Sequence, residues 1–226
     1  MRFRKRNDTI CAGVMVGIVN GRGVMRKKSH ISLAMYLVRE MKLEGLYKHR
    51  KAFYFGSILP DLTPKMVTSP HEFATSYADI QEFIRSIFAE GIGEEWKERV
   101  FWRRIGFVLH YMADYFTFPH NVSFEGNLKD HCMYESEMKY YLREFVWTAE
   151  ARQIFARGRE EARRIRNIEE LFGYIEKMHE AYMQSEHSVA EDCRQILLLC
   201  SAALGVLAQA ADTERMVRVV PRYGWV

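Results

Sequence analysis

Residues 110–135 read HYMADYFTFPHNVSFEGNLKDHCMYE, and this stretch decides how the rest of the chain is interpreted. His110 and Asp114 are four positions apart, and so are His131 and Glu135. Both segments have helical periodicity, so each pair is predicted to project from one face of a helix, one turn apart. Between the pairs, His120 follows a proline at the point where the first helix should end.

A single pair of this kind on a helix is usually a surface hydrogen bond. Two pairs with a histidine between them, in a chain that has 8 histidines, favour a metal site instead. Zinc takes imidazole nitrogens and carboxylate oxygens as ligands, and this set is large enough for more than one ion. The stretch therefore predicts a multi-zinc centre.

The composition is that of an ordinary globular protein. A chain of 226 residues with 48% hydrophobic side chains can bury one large core, and we expect a single main domain. The net charge of +4 is not arranged as a basic stripe with interleaved aromatic residues, so no nucleic-acid duplex is expected as a partner. Nothing in the composition indicates an oligomeric state. The cysteines show no CxxC spacing and are predicted to be free thiols in a reducing compartment: Cys11, Cys132, Cys193 and Cys200.

Residues 1–24 allow two interpretations. The segment MRFRKR followed by TICAGVMVGIV is similar to a signal peptide, which would make the protein secreted, but no small-x-small cleavage site follows. Alternatively, translation starts at Met25, because Gly-Arg-Gly before a methionine is what a purine-rich ribosome-binding site encodes. Residues 25–226 would then form one cytoplasmic all-helical domain with 28 basic and 28 acidic side chains. We favour the second interpretation.

Hydrophobic periodicity predicts helices and gives no convincing strand. An irregular segment broken by prolines carries Asp61 and His71. Residues 157–166 are expected to form a turn or a helix end, and His179 and His187 to lie on the surface. The apolar run at residues 196–211 is 16 residues long, too short for a membrane span, so no transmembrane segment is predicted. The predicted helices cover residues 29–47, 50–58, 74–90, 94–118, 128–157, 167–186 and 188–211.

Eight candidate metal ligands follow one another in a recognisable order. They comprise a histidine in the first helix, an aspartate and a histidine in the proline-rich segment, an HYxxD motif leading to Pro-His, and an HxxYE motif. In this order they resemble the zinc-dependent phospholipase C family, which shares an all-helical fold with the fungal single-strand nucleases. The resemblance covers about residues 29–136 and implies an all-α multi-helix bundle. The ligands are His30, Asp61, His71, His110, Asp114, His120, His131 and Glu135.

The resemblance implies two or three Zn2+ ions. The first would be held by Asp61, His71, His110 and Asp114, and the second by His120, His131 and Glu135. The third would be held by His30 and by Asp114, which would bridge two ions. In the family an N-terminal tryptophan also holds the third ion; no tryptophan precedes His30 here, and the amine of Met25 is a candidate to replace it.

The implied function is zinc-dependent hydrolysis of phosphoric diesters, with a zinc-activated water attacking phosphorus and Asp61 as a ligand, a proton acceptor or both. Phospholipid-type substrates are favoured because the resemblance is closest to the bacterial phospholipase branch. The alternatives are a nuclease- or nucleotidase-type phosphoesterase and a non-catalytic metal-binding protein of the same fold. A di-iron bundle is disfavoured, because it would need paired ExxH motifs. Several aromatic residues could line a substrate pocket, although each one singly is better explained as core: Tyr54, Phe73, Tyr115, Phe116, Phe118, Phe124 and Tyr134.

Overall fold

The computed structural model describes residues 27–62, 71–89 and 95–219. Within these ranges the chain is helical and contains no strand, which confirms the all-α prediction. Two short 3-10 turns, Pro60–Leu62 and Phe118–His120, interrupt the bundle. The α-helices are α1 (Lys27–Met41), α2 (Glu44–Lys48), α3 (Arg50–Gly56), α4 (Phe73–Ala89), α5 (Glu95–Tyr115), α6 (Leu128–Phe145), α7 (Ala149–Arg164), α8 (Ile168–Met183) and α9 (Val189–Val219).

Two of the predicted helices are each divided in two, for a local reason. Residues 29–47 form two helices because Lys42 adopts a φ of 53°, a left-handed conformation that ends α1. Residues 128–157 also form two helices, since Thr148 starts α7 by accepting a hydrogen bond from the Ala151 N–H at 3.1 Å. Residues 157–166, predicted as a turn or a helix end, contain the end of α7 at Arg164, and exposed ion pairs lie along the outer face of its last turns.

Helix α9 is the central apolar element, and it packs against α5, α6, α7 and α8. It ends at Val219 rather than at the predicted residue 211. Although its apolar run is 16 residues, Val189–Thr213 is long and apolar enough, by length and composition alone, to cross a membrane. However, 78% of its most apolar window is buried inside the protein. The helix is therefore apolar because it lies in the core of the bundle.

Helices α3 and α5 cross with their backbones in direct contact. A Cβ atom on Gly56 would lie 1.9 Å from the carbonyl oxygen of Arg103, and one on Gly106 would lie 2.2 Å from that of Phe53. Both distances are far below a normal contact, so only glycine fits at either position. The crossing brings Ser57, the first residue after α3, against the middle of α5.

Several sequence predictions fall on residues outside the described ranges. These include both interpretations of residues 1–24, the role of Met25, Cys11 and the segment 63–70. The other three cysteines, Cys132, Cys193 and Cys200, are free thiols, as predicted. Cys193 and Cys200 are fully buried in the core on α9.

Candidate metal centre

All eight predicted ligands converge on the interior of the bundle. They form three groups, the first two of which share His110, and in each group one ligand atom per residue lies within 4.8 Å of the others. The sequence places these residues on α1, on the two 3-10 turns, before α4, on α5 and on α6. The groups are His30, His110 and Asp114; Asp61, His71 and His110; and His120, His131 and Glu135.

Asp114 lies at the centre of the first two groups and is fully buried. Its Oδ1 atom is 3.3 Å from Nε2 of His30, and its Oδ2 atom is 2.8 Å from Nδ1 of His71. Oδ2 is also 3.2 Å from Nε2 of His110, one helical turn earlier on α5. One carboxylate therefore reaches three imidazoles with its two oxygens.

The orientation of His110 is set by the α3–α5 crossing. Its Nδ1 atom lies 2.9 Å from the carbonyl oxygen of Ser57. A carbonyl can only accept, so Nδ1 carries the hydrogen and the Nε2 lone pair of neutral His110 faces the centre. Nε2 is 3.4 Å from Nδ1 of His71 and 3.7 Å from Oδ1 of Asp61. A hydrogen bond donated by the outer ring nitrogen to a backbone carbonyl is typical of metal-binding histidines.

The third group depends on where α6 begins. Asn127 and Asp130 form a capping box, in which each side chain accepts a hydrogen bond from the backbone N–H of the other residue. Helix α6 therefore starts at residue 128, and His131 and Glu135 share its inner face. The Oε1 atom of Glu135 is 3.1 Å from Nε2 of His131 and 3.5 Å from Nε2 of His120.

The three groups are close neighbours rather than separate sites. The rings of His30 and His110 stack with centroids 3.9 Å apart. The rings of His71 and His120, which belong to different groups, stack with centroids 6.5 Å apart. A single bound substrate could therefore contact ions held by two of these groups.

Charge in the centre is dominated by Asp114. Burial raises the pKa of Asp114, but the surrounding histidines, His110 first, outweigh this and hold the pKa well below its usual range. Burial lowers the pKa values of His110 and His120, and Asp114 more than offsets the effect, so that both are raised. For His30 the burial dominates, and together with the charge of His110 it lowers the pKa to about 4. The centre thus holds an anion surrounded by imidazoles.

The residues present fit zinc. Three buried atoms, Nε2 of His30, Oδ1 of Asp114 and Nε2 of His120, have no hydrogen-bond partner within the described part of the chain. Leaving such atoms unsatisfied costs about 1–3 kcal/mol each. One cation between His30 and Asp114 and another in the group that contains His120 would satisfy all three, and nitrogen with carboxylate oxygen is the donor set that Zn2+ prefers.

Comparison with known protein families agrees with this geometry. The profile of the zinc dependent phospholipase C family matches residues 29–189, more than half of the chain. The chain belongs to this family. No curated protein and no solved structure shows significant similarity to the chain. Membership of the zinc-dependent phospholipase C family confirms the resemblance that the motifs indicated and makes zinc the metal expected at the centre.

The aromatic residues considered as pocket lining divide into two sets. Tyr115 and Phe116 are fully buried core residues. Phe124 and Tyr134 instead line an open surface cavity of about 580 Å3 on the outer side of α6, together with Met133, Tyr140 and the acidic residues Asp130 and Glu137. The ring of Phe124 lies 6.0 Å from that of His131, so this cavity adjoins the third group of candidate ligands.

The prediction that His179 and His187 lie on the surface is wrong. His179 is half-buried, stacks on Phe73 with centroids 3.9 Å apart and donates from Nε2 to Oδ1 of Asn121 at 3.0 Å. His187 stacks on Phe118 at 4.1 Å. His179 lies within α8 and His187 follows it, and the nearby side chains are mostly polar, so the sequence did not reveal that aromatic rings from other elements pack on them.

Sequence reasoning also missed Asp192, near the start of α9. Its side chain is fully buried and accepts hydrogen bonds from the Phe118 N–H and from the hydroxyl groups of Tyr134 and Tyr182, each at 2.8 Å. An acidic residue in the first turn of a helix is ordinary, because it interacts favourably with the helix dipole. The sequence therefore gives no signal that separates Asp192 from an exposed acid.

Proposed function

We propose that this chain is a zinc-dependent hydrolase of phosphoric diesters with phospholipase C-type substrates. The observation that carries the proposal is Asp114, a buried carboxylate whose two oxygens reach His30, His71 and His110 in a chain of the zinc-dependent phospholipase C family. Such a bridge suits a centre of two or more ions, the arrangement used to clamp a phosphodiester.

The ligand assignment follows the grouping of the side chains. Asp61, His71, His110 and Asp114 would hold one ion, and His120, His131 and Glu135 a second. A third ion would lie between His30 and Asp114. Zinc bound at such a centre lowers the pKa of a coordinated water toward about 7 and polarises phosphoryl oxygens.

The protein's own contribution is to orient and desolvate these groups. The carbonyl oxygen of Ser57 fixes the His110 ring, and the capping box fixes the start of the helix that carries His131 and Glu135. Asp61 lies at the edge, on the 3-10 turn, with its side chain 4% exposed and Oδ1 3.7 Å from Nε2 of His110. From this position Asp61 is placed to take a proton from the attacking water.

A lipid-type diester is the substrate class best supported by the cavity beside α6. Met133 and Tyr140, which line it, have exposed fractions of 60% and 59%, and the cavity adjoins His131 through Phe124. Exposed apolar side chains next to a charged centre suit a substrate with a phosphate head and an apolar remainder.

The direct test is hydrolysis by the zinc-loaded full chain. We expect cleavage of a short-chain phosphatidylcholine on the glycerol side of phosphorus, with release of phosphocholine, and slower cleavage of a dinucleotide. His110→Ala should abolish turnover. His49→Ala is the matched control, because this buried histidine contacts Glu98 at 3.1 Å and lies outside the three ligand groups.

Two results would contradict the proposal. Faster cleavage of the dinucleotide than of the lipid would favour the nuclease-type alternative. No turnover of the lipid, the dinucleotide or a chromogenic diester, with zinc bound, would favour a non-catalytic metal-binding protein.

The role of Asp61 can be separated from metal binding. Asp61→Asn should weaken the first ion, and kcat should stay about 10²–10⁴-fold lower, the usual contribution of a general base, after excess zinc refills that position. If excess zinc restores full activity, Asp61 acts as a ligand and not as the proton acceptor.

A further inference from the structure

The carboxylate of Asp192 joins three elements of the bundle. Its Oδ2 atom accepts hydrogen bonds from the Phe118 N–H and the Tyr134 hydroxyl, each at 2.8 Å. Its Oδ1 atom accepts from the hydroxyl of Tyr182, also at 2.8 Å. The family match ends at residue 189, so it does not cover this residue.

Two of these contacts fall beside the third ligand group. Phe118 opens the 3-10 turn that ends at His120, and Tyr134 directly precedes Glu135 on α6. The same oxygen of Asp192 therefore holds both segments that supply His120 and Glu135. The Tyr182 contact is different, because it ties α8 to α9 and involves no segment that carries a ligand.

The arrangement is that of an ionised carboxylate. Burial raises the pKa of Asp192 to about 6, and the hydrogen bonds from Phe118, Tyr182 and Tyr134 limit the rise. Asp192 is thus mostly charged at neutral pH and can accept all three hydrogen bonds. A buried charge is costly unless it is satisfied in this way, and such bonds are stronger than those between neutral groups.

We infer that Asp192 is a positioning residue for the His120–His131–Glu135 group, fixing the spacing between the His120 turn and α6. This inference rests on the proposed metal centre. The 3.5 Å distance from Oε1 of Glu135 to Nε2 of His120 depends on that spacing, whereas the 3.1 Å distance from the same oxygen to Nε2 of His131 is set within α6. Groups outside the ligand shell that orient ligands typically contribute about 10–100-fold to metal affinity.

The two tyrosines provide a matched test. Tyr134→Phe and Tyr182→Phe each remove one hydroxyl that donates to the same carboxylate, but only Tyr134 lies on a helix that carries ligands. We expect both variants of the full chain to fold, with similar losses of Tm. In competition with a chromophoric chelator, Tyr134→Phe should weaken one bound zinc by about tenfold, whereas Tyr182→Phe should leave all zinc affinities unchanged.

A second variant covers the case in which Tyr134→Phe does not fold. Asp192→Asn replaces one acceptor oxygen with an NH2 group, so it should reproduce the weaker zinc affinity and change the visible spectrum of bound Co2+. Equal zinc affinities in the Tyr134→Phe and Tyr182→Phe variants, or an Asp192→Asn variant that binds zinc like the wild type, would overturn the inference.

His131→Ala separates this inference from the proposed function. If His131→Ala weakens zinc binding and Tyr134→Phe does not, the metal centre stands and the positioning role of Asp192 is wrong. If His131→Ala has no effect on zinc binding, the proposed centre itself is wrong.

Discussion

The Nδ1 atom of His110 donates a hydrogen bond to the carbonyl oxygen of Ser57 at 2.9 Å, across the crossing of α3 and α5. This bond turns the other ring nitrogen of His110 toward Asp114 and Asp61. It is available only because Gly56 and Gly106 let the two backbones touch. The orientation of the His110 ring thus depends on two glycines, Gly56 and Gly106.

Adding a methyl group at this crossing should weaken metal binding. Gly106→Ala would place Cβ 2.2 Å from the carbonyl oxygen of Phe53 and force α3 away from α5. We expect a loss of about 3 kcal/mol in the free energy of unfolding, at the upper end for overpacking, and a weaker affinity for zinc. Urea denaturation and a zinc titration would measure the two effects.

Gly173→Ala is the control for that experiment. Gly173 lies within α8, and a Cβ there would meet nothing within 4 Å. Replacement should stabilise the protein by about 0.5–1 kcal/mol through helix propensity, without changing zinc affinity. A Gly106→Ala variant with wild-type stability would mean that the crossing is looser than described.

Removing metal should destabilise the protein. The apo form keeps buried atoms of His30, Asp114 and His120 without hydrogen-bond partners in the described chain, and bound zinc would satisfy them. Free zinc at 100 times the Kd stabilises a native protein by about 2.7 kcal/mol for each site. Calorimetry with and without a chelator should show a lower Tm in the chelator, and His131→Ala should show a smaller shift. An unchanged Tm would argue against native-state zinc binding.

Asp114→Asn should affect more than one ion. Because the Asp114 oxygens reach His30 and the His71–His110 pair, loss of the charge should weaken binding in two groups together. We expect elemental analysis after gel filtration to show the loss of two zinc ions when the wild type holds three. Asp79→Asn, at an exposed position on α4, should leave the zinc content unchanged. Loss of a single ion would make Asp114 a terminal ligand rather than a bridge.

The stability of the metal-free protein should fall in mild acid, in part because of His179. Burial lowers the pKa of His179 to about 4 from 6.5, so between these values the unfolded state binds more protons than the native state. The contribution of neutral His179 to the free energy of unfolding is complete above pH 6.5 and is lost as the pH falls toward 4. Partial exposure reduces the effect, and we expect about 1–2 kcal/mol between pH 8 and pH 5.

The comparison variant is His179→Phe, which keeps the stacking on Phe73 but cannot titrate. Urea denaturation in chelator at several pH values would give the difference in unfolding free energy between wild type and variant. That difference should move in favour of the variant as the pH falls. A difference that is constant with pH would show that His179 is equally protonated in the folded and unfolded states.

The candidate ligands were predictable because their chemistry leaves a local signature. His110 with Asp114, and His131 with Glu135, occupy i and i+4 positions on helices, and this spacing alone places each pair on one face. The order of motifs then indicated the family, which the match to residues 29–189 confirms. All eight candidates converge on the centre.

The residues that support the centre were not predictable, because their roles depend on contacts between distant elements. Asp192 resembles any acid in a first helical turn, and its partners Phe118 and Tyr134 are far away in the chain. From the sequence, Gly106 could equally be a glycine that the helix merely tolerates. Glycine is required there only because the backbone of α3 comes so close. Boundaries such as the one at Lys42 failed for a related reason: a single left-handed residue ends a helix without changing the hydrophobic pattern.

The assembly of the centre from many separate elements also has a consequence for folding kinetics. His30 on α1 meets Asp114 on α5, and His120 meets Glu135 only when the 3-10 turn has docked on α6. Long loops must close before any of these contacts form, and loop closure slows folding. Local helices should therefore appear early in refolding while the ability to capture zinc appears late, so that metal uptake marks the final docking step.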